Sequence, residues 1–364
     1  MVAAIQSGSL KHLDTTNEPY QSGHYEQRTG TLHLNTSNFD AKGFDSASAR
    51  RDNLAVVIGH EAGHALLADA SERERYALRY NMGEAIRTAS HDGTAADLTG
   101  PANRYVSFMR RNEAMAELVG MNALASRATG ANGAFDRAEF LRRVDPSTPC
   151  VDKGVLASGI SLSPAGIQII GKQFRTSPAI EAVAQCYTDS GASIGQHGDS
   201  SYRDTHGTYV MKVAASELND YAKGTTMHVP AIELDMATLK LDPNGIERAG
   251  LDLGGPGRSL SYVDTSKGRR EYESVSHANP GDRGELAQAG KRCLVPKPVR
   301  SSSTRGQSRT SRLSSLRDVP SRSTSRWPLE QGESSQPRRG RRSGCEGRCC
   351  RRPELVRGCH RPRC

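Results

Sequence analysis

The sequence predicts an α+β protein: a small twisted sheet packed on two helices that carry the chemistry, a second mixed α/β lobe, and a disordered C-terminal tail. Three observations lead there. The segment Thr31-Leu32-His33-Leu34-Asn35 alternates polar and apolar residues, the period of a half-buried strand. Two later segments repeat apolar residues every three to four positions, as buried helices do. From residue 291 onward there is no Ile, Tyr, Phe, Asn, Met or Ala. Such a segment lacks the apolar area that would offset the entropy of ordering it.

The chain has 364 residues, room for two domains or for one with an appendage. We divide it into 1–148, 151–266 and 267–364, the middle part being a second module or a C-terminal lobe of the first. Charge follows the same division. Residues 291–364 hold 20 basic and 5 acidic side chains, whereas 1–290 hold 29 and 35, a net of −6. The basic balance belongs to the tail, so no specific nucleic-acid partner is expected of the body. Only Cys150 and Cys186 precede residue 290, which suggests the body of a reducing-compartment protein, or of one that needs no disulfides to fold. No apolar run approaches the ~20 residues needed to span a bilayer. The start shows no charged n-region followed by a long apolar core. The expectation is therefore a cytoplasmic protein, or one exported by a route that needs no signal peptide.

In chain order, 1–30 reads as a polar, turn-rich lead-in and 31–35 as a strand. After a turn around Gly43, Ser46 or Ser48 can cap a helix. Its apolar residues Leu54, Val57, Ile58, Ala62, Ala65 and Leu66 share one face. Near Ala70 the pattern turns charged, so the helix ends or bends there. Residues 88–104, rich in Gly, Pro, Asp and Thr, read as a loop. A second long helix fits 106–126, and a short one fits FDRAEFLRRV. From Gly154 the texture changes: SGISLSPAGIQIIGKQF, GTYVMKVAAS and HVPAIELDMATLKL look strand-like or mixed.

The strongest signal is His60-Glu61-Ala62-Gly63-His64. Residues i and i+4 of a helix lie on one face, a turn apart. Two imidazoles so placed can reach one zinc ion at the ~2.0–2.1 Å its bonds to nitrogen require. Glu61, beside the first of them, is placed to take a proton from a metal-activated water and pass it to a leaving amine. The flanking residues are uncharged, so the helix is buried. Catalytic zinc usually takes three protein ligands and keeps a fourth position open. The second helix offers Glu113, in Asn112-Glu113-Ala114-Met115-Ala116-Glu117. Glu117, one turn on, can accept the other ring N–H of a ligand histidine and fix its tautomer.

HEAGH followed by NEAMAE resembles the zincin metallopeptidases, in particular their gluzincin branch. The resemblance covers residues 28–128 and does not extend to 151–266. It implies a zincin-like fold in 1–148, one Zn2+ held by His60, His64 and Glu113, Glu61 as general base, and Glu117 orienting a ligand histidine. It implies a peptide or protein substrate, bound in extended form along a sheet edge. The strand at 31–35 stands where that edge would be, with Leu32 and Leu34 as its substrate-facing residues. A donor for the developing oxyanion is also needed. Candidates are His91, Tyr105 and the polar run 196–207, from which His206 is singled out. The reading is a zinc peptidase; its rivals are a bacterial effector, toxin or regulator built around a zincin-like module, and a non-catalytic binding protein stabilised by zinc.

Overall fold

Three layers meet on a pair of helices. This is a computed structural model, and it describes residues 1–18, 22–130, 132–163, 166–167, 177–189, 200–268 and 271–278. The chain divides into two units, Met1–Val299 and Arg300–Cys364. All of the second lies outside the described residues, as does the disorder expected there.

The first layer opens with helix α1 (Val2–Gln6) and strands β1 (His12–Thr16), β2 (Gly23–Glu26) and β3 (Thr31–Asn35). The lead-in expected at 1–30 thus holds a helix and two strands. The sheet order is β1-β3-β2, with β3 parallel to β1 and antiparallel to β2. The half-buried strand that the alternation suggested is buried on both faces: Thr31 and Asn35 are covered as well as Leu32 and Leu34, and His33 alone is partly exposed. The expected edge, however, is the central strand. Leu32 and Leu34 are 0% and 3% exposed and pack on Val57 and Ala65. They are core residues and do not face an open edge; both polar rows of the β3 backbone are already taken by neighbours.

Helix α2 (Ala47–Leu66) follows, capped by Ser46, whose side chain accepts from the Ala49 N–H. At Leu67 the chain breaks and restarts as α3 (Ala68–Asp92), which Gly93 ends in the left-handed conformation at φ 67°. The supposed 88–104 loop is therefore short. It holds β4 (Ala96–Asp97) and gives way to α4 (Thr99–Ala123). Pro101 did not exclude a helix, because in the first turn its missing N–H costs no intrahelical bond.

Next come α5 (Arg137–Val144), β5 (Val151–Asp152), β6 (Val155–Leu156), β7 (Leu162–Ser163), β8 (Gly166–Ile167) and α6 (Pro178–Val183), which runs into a π-turn at Ala184–Thr188. Then follow α7 (Tyr202–Gly224), β9 (Ile232–Leu234), α8 (Met236–Leu239), α9 (Pro243–Arg248), β10 (Ser259–Asp264) and β11 (Glu271–Ser276). Strands β11-β10-β9-β4 form a four-stranded sheet. Elements from 202–276 thus pair and pack with those of 68–123: β4 pairs with β9, and α3, α4 and α7 share one apolar core. GTYVMKVAAS is helical. Its β-branched residues suggested a strand, but Val210, Met211, Val213 and Ala214 are buried on one helical face. Residues 271–276, expected to belong to the tail that begins at 267, form β11, which pairs antiparallel with β10.

Cys150 and Cys186 form a disulfide, with Cα atoms 5.2 Å apart. This corrects the expectation of a disulfide-free body. Their separation of 36 residues gave no spacing signal, and packing of α6 on the 137–151 segment brings them together. Among the described residues no helix is long and apolar enough to cross a membrane.

Candidate metal centre

Helices α2 and α4 approach unusually closely, because small residues line both. A Cβ on Gly59 would fall 2.9 Å from the Gly120 Cα, and one on Gly63 would fall 2.6 Å from the Ala116 Cα. This contact sets the face bearing His60 and His64 against the face bearing Glu113 and Glu117.

Three ligand atoms converge there. His60 Nε2 and His64 Nε2 are 3.1 Å apart. Glu113 Oε2 lies 3.7 Å from the first and 3.5 Å from the second. A tetrahedral zinc ion with bonds of ~2.0–2.1 Å separates its ligands by about 3.3 Å. The three spacings bracket that value, and among the described residues His60, His64 and Glu113 are the one group that could hold a metal.

The far sides of both rings are held. His60 Nδ1 is 3.3 Å from Glu117 Oε2, and His64 Nδ1 is 2.9 Å from Asn112 Oδ1. Asn112 Nδ2 donates to Ser71 Oγ at 2.6 Å, and Ser71 Oγ donates to the Leu67 carbonyl at 3.0 Å. That chain fixes the amide so that its oxygen faces His64, which then must donate from Nδ1. A carboxylate does the same for His60. Both Nε2 lone pairs are thereby turned inward, toward each other and toward a carboxylate. Lone pairs so converged repel unless a proton or a cation sits among them.

The site's own charges point the same way. Burial opposes charging His60 and His64, yet the carboxylates of Glu113 and Glu117 outweigh it for His60, and Glu113 does so for His64; both are raised. Burial likewise opposes charging Glu113, but His64 and His60 pull it well below the usual carboxylate range. The carboxylates thus favour positive charge on the imidazoles, and the imidazoles favour an ionised Glu113.

Glu61 is buried on the same turn of α2, and its charge acts on both imidazoles. It packs beside β2: a Cβ on Gly23 would stand 3.6 Å from Glu61 Cγ. The sheet edge beside this cluster is therefore β2. The Asn35 N–H bonds the Ser22 carbonyl. Ladder alternation then turns the N–H and C=O of Gly23 and Tyr25 outward, to the edge with no strand beside it among the described residues.

His206 and His91 part company. Ser201 and Asp204 form a capping box that starts α7, so residues 202–207 of the polar run are helical, while 196–199 lie outside the described residues. The S-x-x-D spacing was a legible signal for this. His206 is buried in the second turn, with Nε2 3.9 Å from Glu113 Oε1 and no hydrogen-bond partner among the described residues. Burial lowers its pKa to about 4, so it is neutral at pH 7. His91 ends α3 instead, its side chain 82% exposed and 2.9 Å from Asp92. Twenty residues of helix, about 30 Å, separate it from Ser71. It cannot serve this site. Tyr105 is buried on α4, one turn before Met109, and packs on Tyr209.

Sequence reasoning gave no role to Tyr187, and included Tyr202 only as a member of the polar run 196–207. Their hydroxyls are 2.7 Å apart. The Tyr187 ring lies 6.1 Å from His60, and the Tyr202 ring 6.4 Å from His206. Burial, with the Glu113 and Glu117 carboxylates nearby, raises both phenols and keeps them protonated. Tyr187 is pinned on either side. Cys186 is bonded to Cys150, and Asp189 takes a bidentate grip from buried Arg110 at 2.7–3.0 Å. No sequence signal marks Tyr187; only the fold carries the π-turn to α4. A separate polar depression of about 490 Å³, between α8, α9 and β10–β11, shares no residue with this cluster.

No protein-family model, curated protein or solved structure matches this chain.

Proposed function

We propose that this protein is a zinc-dependent hydrolase of peptide bonds, in line with the zincin resemblance of its two motifs. The reading rests on one observation: His60 Nε2, His64 Nε2 and Glu113 Oε2 converge at 3.1–3.7 Å with both Nδ1 atoms held from behind. Zinc held by these residues would supply Lewis acidity toward the attacking water and the scissile carbonyl.

Glu61 takes the proton of that water and returns it to the departing amine. Its burial keeps bulk water from competing for the proton. Neutral His206 offers an N–H to the oxygen that gains charge, which explains an unpartnered ring nitrogen beside Glu113. Tyr187 and Tyr202 have two hydroxyl protons and share one hydrogen bond, so one proton is left for the same oxygen. Gly23 and Tyr25 of β2 hold the substrate backbone in extended form by strand addition.

The test is E61Q in the full chain. Glutamine keeps the shape and loses the base, so zinc content is retained while cleavage of a mixed peptide library falls at least ~1000-fold. Undiminished cleavage by E61Q would contradict the mechanism. Zinc binding without cleavage by the unmodified protein would favour a zinc-stabilised binding protein.

A further inference from the structure

Beyond the His60–His64–Glu113 cluster, a guanidinium that hydrolysis does not use stands close enough for its charge to act on His206. Arg75 lies one turn after Ser71 on α3, so it extends the face that touches Asn112. Its Cζ stands 6.0 Å from the centroid of the Tyr209 ring. Tyr209 comes three residues after His206 on α7 and packs against Tyr105 with ring centroids 5.3 Å apart. An aromatic shelf therefore carries the guanidinium beside the unpartnered imidazole.

Arg75 is also tied to the substrate edge. Its Nη1 donates to Gln27 Oε1 at 3.0 Å, and Gln27 Nε2 donates to the Ala68 carbonyl at 2.7 Å. Gln27 directly follows β2. The edge passes Glu61 at Gly23 and ends at this tether four residues on, about 13 Å at strand rise. A peptide lying on β2 brings a residue three or four positions from the one opposite Gly23 against Arg75.

Arg75 is suited to read an anion there. Its side chain is 36% exposed, and the carboxylate nearest to it, Glu72 at 3.7 Å, is 67% exposed and so weakly engaged. The neighbouring Glu74 pairs with Arg104 at 3.4 Å. A planar, weakly hydrated fork resting on a ring and steadied by an amide is the form in which arginine recognises carboxylates.

We propose that Arg75 determines specificity by binding a carboxylate of the substrate, three or four positions from the scissile bond: an acidic side chain or the C-terminal carboxylate. This rests on the hydrolytic reading. The zinc-loaded full chain is given a peptide library, and cleaved products are sequenced by mass spectrometry. Matched peptides then differ only in Glu against Gln at the selected position, or in a free against an amidated C-terminus, which tells the two sources apart. One change should lower kcat/KM by about 10- to 100-fold. R75Q should erase that difference and R75E should turn the preference toward Lys, a reversal that mere misfolding cannot produce. Cleavage by the unmodified protein with no carboxylate preference, or a preference that survives R75Q, overturns this inference alone. Absence of any cleavage by the unmodified protein overturns the hydrolytic reading and this inference with it.

Discussion

Gly63 sits against Ala116 so tightly that a Cβ on it would come within 2.6 Å of the Ala116 Cα. Both residues belong to the motifs that supply the ligands. Helix α2 touches α4 backbone to backbone at this point, and the ligand atoms of His60, His64 and Glu113 converge because of it.

G63A should therefore push the helices apart. The obstacle is main chain, which cannot swing aside as a long side chain would, so about 1–3 kcal/mol of stability is expected to be lost. Glu113 withdraws with α4, and zinc affinity falls in parallel. Thermal unfolding and zinc titration of G63A check both; unchanged zinc affinity would show that helix spacing does not set the site.

Asn112 and Glu117 touch the imidazoles from behind, without themselves belonging to the converging ligand group. N112A and E117Q should each weaken zinc binding by about 10- to 100-fold, whereas H64A or E113A should remove stoichiometric binding. Competition against a chelator of known affinity measures the difference.

The Cys150–Cys186 bond closes a loop spanning 36 residues. In the chain-entropy account such a loop contributes about 4 kcal/mol. A C150S/C186S protein should melt several degrees lower. It should also turn over peptides more slowly, because Tyr187 loses one of its two anchors. Melting curves with and without reductant test the first part. Equal turnover at a temperature where both proteins are folded would count against the second.

His206 gives a pH dependence with a definite sign. Burial lowers its folded pKa to about 4, below the ordinary ~6.5 of a histidine in an unfolded chain. Between these values the unfolded state binds more protons, so stability falls as pH drops from about 6.5 to about 4, by roughly 3 kcal/mol from this group. The H206Q protein should show a shallower acid loss of melting temperature. An identical slope would mean that His206 titrates normally.

The side-chain cluster was legible because helix geometry alone puts His60 and His64 on one face, and Glu113 and Glu117 on another. The mixed α+β class and the helices around both motifs were legible from apolar period. Strand order was not. Thr31–Asn35 alternates as an edge strand does, yet it lies centrally because β1 and β2, hidden in polar turn-rich sequence, flank it. His206 could be located through the Ser201–Asp204 capping box. Tyr187 and Arg75 come near the His60–Glu113–His206 cluster only through long-range packing, on a π-turn and on a charged helix whose local pattern says nothing of a site.

The most direct measurement is zinc-edge X-ray absorption on the full chain carrying one equivalent of zinc. The account predicts a shell of nitrogen and oxygen at ~2.0–2.1 Å with imidazole scattering from two rings, lost in H64A. A sulfur shell at ~2.3 Å, or an unchanged spectrum in H64A, would show that zinc is held elsewhere and would contradict the account.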